Sequence, residues 1–566
     1  MKTLVCLKGV LNIDGWKIRR LLVVVVVLQI VMLVFAFAPV ESINPWIPYI
    51  RQVCGFIYLS YVPGIIILKI FKTKMPHPML THLYAIGFSV ASTMGIAYLV
   101  NQLFPFLGIF RPISPTNLII TMNAFISALC IICFLHNRDN VCHQPNEPIK
   151  NLKVTLLLLI MPLITIIGVY SVNYWRNNII LLVLLIALSL ILFLVSFTSY
   201  IPQTLYPLAI WTAALSLIWH TTLISPYLLI NDVLGEYVAA GLTSNQGLWV
   251  TNEAGAYNSV LSVALLPSVY SNVCNLDLVW YFKIISPLLY SFTSVCAYFI
   301  FLRVLKKPKA AFLTAVLFIS MLPFFVQIPL ISKQSICELF LGLFLLASTI
   351  KQSESPLFRK TSIIVFALCI IVSHYGTSYI LLFGLLFLAV IRFLLDHGNT
   401  VIDKIDLRKK RVNNLSYCKN FGLNLNLSIF IVVLFIVFTI AWYVFSVKPV
   451  IFNVVVNIGE SIANTIMLDF LNTEGSRGMY MITREESSPI RFITKIVYLF
   501  TQLLIFIGVS YTILSNQRQK SNVDYVVLSS YFLLVLVAAI AVSGFAVMDP
   551  RRLYHLSLFL LAPFCI

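Results

Sequence analysis

The chain has 566 residues, of which 60% are hydrophobic and only 10% are charged, whereas an ordinary soluble domain carries about 25% charged residues. A charge at the centre of a spanning helix costs about 2.5–3.5 kcal/mol, and chains that cross a membrane are therefore poor in charged residues. The composition excludes a soluble protein and predicts an all-α polytopic transmembrane bundle. The net charge of +19 does not indicate a nucleic-acid partner, because lysine and arginine concentrate in the cytoplasmic loops of membrane proteins.

About sixteen apolar runs approach the ~20 residues that cross a ~30 Å hydrocarbon core. The predicted spans are approximately 21–38, 53–71, 82–103, 117–135, 154–172, 178–197, 205–223, 284–303, 311–329, 335–350, 361–374, 378–395, 428–447, 494–514, 524–544 and 553–566. The last run is short for a span, and we therefore expect the chain to continue beyond Ile566. The runs form an N-terminal module of about six spans in 1–200 and a second module in 201–566.

The distribution of basic residues predicts the orientation. If Met1 is cytoplasmic, about 27 of the 39 basic residues fall on the cytoplasmic side, as the positive-inside rule requires. We therefore predict a cell-membrane protein with a cytoplasmic N-terminus and two long outer loops, near 223–283 and 448–494. An amphipathic piece of the first loop, Tyr257–Tyr270, is expected to lie along the membrane interface.

The first outer loop opens with two carboxylates, Asp232 and Glu236. Their spacing of four places both on one face if the segment is helical. A partly desolvated carboxylate at the membrane edge could act as general base on an acceptor hydroxyl, and Asp232 could also ligate a divalent cation such as Mg²⁺ or Mn²⁺ through oxygen. The alternative is an acidic, solvated loop.

Polar groups around His374 and around Lys333 also fall at the predicted outer surface. His374, followed by Tyr375, joins two spans and could contact a phosphate oxygen or shuttle a proton, or could belong to a tight hairpin at the aromatic belt. Lys333 begins a span that contains Glu338, for which Lys333 is the nearest partner in sequence; a polar lock between helices is the alternative.

The paired arginines Arg551 and Arg552 precede the last run. Two guanidinium groups could clamp a lipid phosphate through paired hydrogen bonds, or their side chains could extend to the interface. The sequence contains no phosphate-binding loop, dinucleotide fingerprint or nucleophile elbow, which argues against nucleotide-driven chemistry.

Together these motifs resemble a family of archaeal multi-spanning membrane proteins, a domain of unknown function that is similar to the C-type glycosyltransferases, which use lipid-linked donors. The matching segments lie within approximately 202–566. They are Asp232 with Glu236-Tyr237, Tyr257–Ser262, Trp280–Ile284, Lys333-Gln334 with Glu338–Phe340, Ser373–Thr377 and Arg551–Tyr554.

The resemblance implies a C-type glycosyltransferase-like membrane fold and transfer of a sugar from a polyprenyl-phosphate donor to a glycan or protein acceptor outside the cytoplasm. Asp232 would be the base or metal carboxylate, assisted by Glu236. The residues that would hold the lipid phosphate are His374, Tyr375, Lys333, Arg551 and Arg552. Two alternatives stay open: a transporter or flippase for lipid-linked glycans, and a non-catalytic assembly subunit.

Overall fold

A computed structural model describes residues 18–37, 44–137, 151–229, 232–251, 255–350, 355–406, 427–447, 460, 477–514, 523–541 and 549–566. This part of the chain is helical and contains no strand. It forms two compact units: unit 1 comprises 1–296, 328–344 and 355–374, and unit 2 comprises 297–327, 345–354 and 375–566. The division at residue 200 stays a prediction, as each unit is assembled from separated stretches.

Fourteen α-helices lie in the described residues between 18 and 305. They are α1 (Ile18–Phe37), α2 (Ile47–Ser60), α3 (Val62–Ile70), α4 (Pro78–Leu103), α5 (Pro115–His136), α6 (Leu152–Trp175), α7 (Ile179–Phe197), α8 (Tyr206–Thr222), α9 (Val233–Gln246), α10 (Leu261–Ala264), α11 (Leu266–Cys274), α12 (Leu278–Trp280), α13 (Ser286–Ser291) and α14 (Thr293–Leu305). A π-helical turn, Tyr281–Ile285, joins α12 to α13.

The remaining described helices follow in chain order. They are α15 (Pro308–Ser320), α16 (Ser332–Ser348), α17 (Pro356–Ser373), α18 (Tyr375–Asp406), α19 (Ile429–Val447), α20 (Arg477–Thr483), α21 (Pro489–Leu514), α22 (Val523–Ala541) and α23 (Pro550–Leu561). Residues 448–459 and 461–476, which make up much of the predicted second outer loop, lie outside the described residues.

Many of these helices begin with proline, at positions such as Pro78, Pro115, Pro356, Pro489 and Pro550. The first N–H of a helix has no intrahelical acceptor, so proline there loses no hydrogen bond, and its fixed φ suits the first turn. The prolines therefore help to set where these helices start.

Twelve helices in the described part of the chain are long and apolar enough to cross a membrane, or thirteen if one bent pair counts as a span. The chain is thus a multi-pass membrane protein. The other predicted spans are helical but shorter or bent. Helices α8 and α16 have 17 residues each and α23 has 12, and the run near 311–329 bends by 54° between Pro308–Ser320 and Pro323–Leu330.

Close backbone packing holds unit 1 together. Helix α3 crosses α4 so tightly that a Cβ on Gly64 would lie 1.8 Å from the carbonyl oxygen of Ala85, and only glycine permits such an approach. The Gly64 N–H donates to Ser89 Oγ at 2.8 Å. Small residues commonly let membrane helices approach in this way.

The segment predicted to lie along the interface is buried instead. Helices α10 and α11 occupy most of it, and their side chains belong to the core of unit 1. The hydroxyls of Ser60 and Tyr270 are 2.7 Å apart, and Ser262 Oγ donates to the Ser373 carbonyl at 2.9 Å. The amphipathic pattern was misassigned because its polar positions bond other helices rather than water.

In unit 2, Arg392 and Asp524 form a bidentate ion pair, with Nε–Oδ1 and Nη2–Oδ2 distances of 2.8 and 2.5 Å. Arg392 also donates to the Leu427 carbonyl at 2.6 Å. Paired N–H···O bonds of this type fix relative orientation as well as distance, so this contact sets the geometry of α18, α22 and the start of α19.

Candidate functional site

Asp232 and Glu236 lie on one face of a helix, as the spacing predicted. Asp232 precedes the first residue of α9, and its carbonyl accepts a hydrogen bond from the Glu236 N–H at 3.1 Å. Gly247 ends the helix in the left-handed conformation, with φ of 68°, which glycine adopts without strain. The segment predicted to be the first outer loop therefore contains an ordered helix that fixes both carboxylates.

The ammonium group of Lys333 joins the two carboxylates. Its Nζ lies 3.1 Å from Asp232 Oδ2 and 3.6 Å from Glu236 Oε1. The side chains of Lys333 and Glu236 are only 3% and 0% exposed, whereas that of Asp232 is 33% exposed. The cluster thus has a closed side, formed by Glu236, and an accessible side, formed by Asp232.

Glu236 is fully buried and accepts two backbone hydrogen bonds. The N–H of Ser332 donates at 2.7 Å and that of Lys333 at 3.4 Å, so the first turn of α16 is directed at the carboxylate. Burial raises the pKa of Glu236 to about 7, although the Lys333 ammonium and these N–H groups act to lower it. Glu236 can therefore exchange a proton near neutral pH, and it is not part of a solvated acidic loop.

Tyr257 covers the Lys333 ammonium. Its ring centroid is 4.2 Å from Lys333 Nζ, a distance at which the ring face attracts a cation. The ring packs on the backbone of α9, where a Cβ on Gly235 would lie 2.5 Å from it. Trp249 Nε1 donates to the Asn258 carbonyl at 3.0 Å, which fixes the segment that carries the tyrosine.

Glu338 does not pair with Lys333 as the sequence suggested. Gln334 Nε2 donates to Glu338 Oε1 at 3.0 Å. Residues four apart share a helix face, whereas residues five apart do not, so on α16 Gln334 meets Glu338 and Lys333 points to α9. Glu338 is fully buried. Its hydrogen bond with Gln334 lies within α16, so the alternative of a polar lock between helices stays a prediction.

His374 lies between α17 and α18, Tyr375 is the first residue of α18, and both are partly exposed. His374 follows the last residue of α17, and its N–H donates to the Ile370 carbonyl at 3.2 Å. The Ser262–Ser373 hydrogen bond joins this helix end to the segment that follows Tyr257. Within unit 1, direct contacts therefore unite Asp232, Glu236 and Lys333. His374 directly follows Ser373, whose carbonyl accepts the hydrogen bond from Ser262.

Arg551 and Arg552 belong to unit 2, in the first turn of α23. Asp549 caps this helix by accepting from the Arg551 N–H at 2.9 Å, and its carboxylate also accepts from the Arg551 guanidinium at 3.0 Å. The same guanidinium also donates to the side-chain oxygen of Gln327 at 3.0–3.1 Å, when the amide is oriented with its oxygen toward Arg551. A phosphate at Arg551 would compete with these acceptors.

Within the described residues, no three histidine, cysteine, aspartate or glutamate side chains cluster closely enough to hold a metal ion. The Lys333 ammonium is 3.1 Å from Asp232 and so already neutralises charge where a cation would bind. Two carboxylates that share an ammonium fit Mg²⁺ or Mn²⁺ poorly, because these cations require several oxygen ligands.

Sequence reasoning assigned no role to Tyr257 or to the Ser332 backbone. Tyr257 was named only as the start of the amphipathic piece and of a matching segment, and its partner Lys333 is 76 positions away in sequence. Nothing in the sequence distinguishes the backbone N–H of Ser332, because every non-proline residue has a backbone N–H.

Residues 359–566 match a protein family described as "Predicted membrane protein (DUF2206)". This stretch includes His374, Tyr375, Arg551 and Arg552, whereas the Asp232–Glu236–Lys333 cluster lies before it. The match supports the resemblance to a multi-spanning membrane family, and the family description states no activity. No curated protein and no solved structure matches the chain.

Proposed function

We propose that the protein is a membrane-embedded glycosyltransferase that transfers a sugar from a polyprenyl-phosphate donor to a glycan or protein acceptor on the extracytoplasmic side. The observation that carries the proposal is the shared ammonium of Lys333, which faces one accessible and one buried carboxylate. Carboxylates in contrasting environments are the usual basis for acid–base chemistry. The resemblance to lipid-donor glycosyltransferases supplies the substrate class.

In the proposed reaction, Asp232 accepts the proton of the acceptor hydroxyl as that oxygen bonds to the anomeric carbon. The bond between this carbon and the lipid phosphate oxygen breaks, and the phosphate leaves with the electron pair. Lys333 holds Asp232 in position, and Glu236, whose pKa is about 7, assists by balancing the charge on Lys333.

The donor phosphate requires cationic or hydrogen-bonding partners. We assign this role to His374, Tyr375, Lys333, Arg551 and Arg552, as the resemblance implies. Arg551 would have to exchange Asp549 and Gln327 for phosphate oxygens. Lys333 would have to contact phosphate while it keeps its carboxylate contacts.

The test is sugar transfer by the purified chain in lipid nanodiscs, with radiolabelled polyprenyl-phosphate sugars as donors. Because a positioned general base contributes about 10²–10⁴-fold, Asp232→Asn should reduce transfer by that factor. Asp277→Asn is the matched control, since Asp277 is exposed and only caps a short helix. Full transfer by Asp232→Asn would refute the assignment.

The same preparations separate the alternatives. A flippase would move the intact lipid-linked glycan across liposomes without cleaving the sugar–phosphate bond. An assembly subunit would do neither. A divalent cation at Asp232 is a further part of the test: because Lys333 already faces that carboxylate, we expect transfer to survive chelation, and loss restored by Mg²⁺ or Mn²⁺ would assign Asp232 the metal role.

A further inference from the structure

Lys283 is a buried cation in a membrane-spanning segment. Its residue is only 3% exposed, and it lies in the π-helical turn Tyr281–Ile285 within the apolar stretch Leu278–Leu305. An ionisable side chain at such a position is costly, and residues of this kind commonly mark substrate pathways or binding sites. Single π-helical turns also occur frequently at functional sites.

The backbone around Lys283 has a local cause. In a regular α-helix, its carbonyl would accept the N–H of the residue four positions later, which here is Pro287 and has no N–H. Thr222 Oγ1 donates to the Lys283 carbonyl instead, at 3.0 Å. The proline thus supports the irregular turn, and the end of α8 compensates for the missing hydrogen bond.

The ammonium of Lys283 has no carboxylate partner among the described residues. It donates to the backbone carbonyls of Ser225 and Tyr227, the latter at 3.1 Å. An ammonium group has three donors, so one remains for a further acceptor. Lys333, by contrast, is already engaged by two carboxylates.

Lys283 lines a small cavity. Its volume is about 10 Å³, close to the minimum that admits one water-sized atom. The lining includes Lys283, Val233 and Leu330. In the chain, Val233 directly follows Asp232, and Leu330 lies two residues before Ser332. The cavity therefore opens beside the helix starts that build the carboxylate cluster.

We propose that Lys283 binds one phosphate oxygen of an anionic polyprenyl lipid, which enters this cavity while the rest of the headgroup stays outside. The inference rests on the proposed function for the identity of the lipid. A compact ammonium suits phosphate as a point charge, and in an apolar surrounding the pairing of a buried cation with an anion is strongly favoured. Lys283 is thus a binding residue and takes no part in proton transfer.

The experiment measures equilibrium binding to the full chain in nanodiscs, with a polyprenyl phosphate, the matching polyprenol and inorganic phosphate as probes. Wild type should bind the phosphate lipid more tightly than the alcohol. Since a hydrogen bond to a charged group contributes roughly 10- to 100-fold in affinity, Lys283→Met should weaken phosphate-lipid binding by that factor and leave polyprenol binding unchanged. Lys283→Arg should retain part of the preference.

Lys360→Met is the matched control, because it removes an exposed lysine and should change neither affinity. An equal loss of affinity for both lipids in Lys283→Met would show that Lys283 merely holds the Ser225 and Tyr227 carbonyls, and would overturn the proposal. An unchanged preference for the phosphate lipid in this variant would overturn the proposal, as would inorganic phosphate binding as tightly as the lipid. The binding measurement does not require sugar transfer. It can therefore be interpreted even if the transfer assay fails.

Discussion

Lys333 Nζ lies 3.1 Å from Asp232 Oδ2 and 101 positions away in sequence. This ion pair joins the first turn of α16 to the start of α9. Because Glu236 is also within 3.6 Å of the ammonium, the lysine neutralises a carboxylate that has no access to water. The cluster should consequently respond to mutation and to pH in an asymmetric way.

Removing the shared cation should destabilise unit 1. Breaking a buried pair from one side costs about 3–5 kcal/mol, since the remaining charge is left uncompensated. We expect Lys333→Met to lower stability by about this amount at pH 8, and the double variant with Glu236→Gln to recover much of the loss. Asp232→Asn should cost less than about 1 kcal/mol, because Asp232 is partly exposed. Thermal unfolding in detergent measures these differences, and equal losses in all three variants would contradict the asymmetry.

Glu236 should also give stability a defined pH dependence. Its folded pKa of about 7 lies above the ordinary value of 4.5. The folded state therefore holds this proton more tightly, and the contribution of Glu236 is fully present below pH 4.5 and is lost as pH rises to about 7. The loss is about 3 kcal/mol for a shift of this size. Unfolding of wild type and Glu236→Gln from pH 4 to 8 should show this fall in wild type alone; parallel curves would exclude the buried titration.

The contact between α9 and Tyr257 can be tested with two glycines of the same helix. A Cβ at Gly235 would lie 2.5 Å from the Tyr257 ring, whereas one at Gly241 would meet nothing within 4 Å. Gly235→Ala should therefore destabilise by about 1–3 kcal/mol and displace the ring from Lys333. Gly241→Ala should stabilise by about 0.5–1 kcal/mol, since alanine favours helix. A neutral or stabilising Gly235→Ala would show that the ring is free to move.

Sidedness is testable with single cysteines at the two sides of unit 1. The predicted orientation places Tyr227, which is 78% exposed, outside and Lys360 inside. A membrane-impermeant thiol reagent should label Tyr227→Cys in intact cells and Lys360→Cys only after permeabilisation, each measured above the wild-type signal. Labelling of both from one side would contradict the orientation on which the extracytoplasmic reaction depends.

Much of the architecture could be predicted from sequence, because apolar runs near 20 residues have few solutions other than spanning helices. The spacing of Asp232 and Glu236 placed both carboxylates on one face on the condition that the segment is helical, and the structure meets that condition. The lengths of α8, α16 and α23 were harder to predict, since the number of apolar residues does not fix where a helix ends or bends. The interface position assigned to Tyr257–Tyr270 was wrong for a related reason: a polar residue looks the same in sequence whether it bonds water or another helix.

The sequence alone determined that this chain crosses the membrane many times, because the cost of burying charge in hydrocarbon acts on each segment by itself. Only the tertiary structure decided that Lys333 contacts Asp232 and Glu236 rather than Glu338, and that Lys283 lines a cavity and bonds the carbonyls of Ser225 and Tyr227. These contacts join residues from about 50 to 100 positions apart, and only the packing of the helices brings them together.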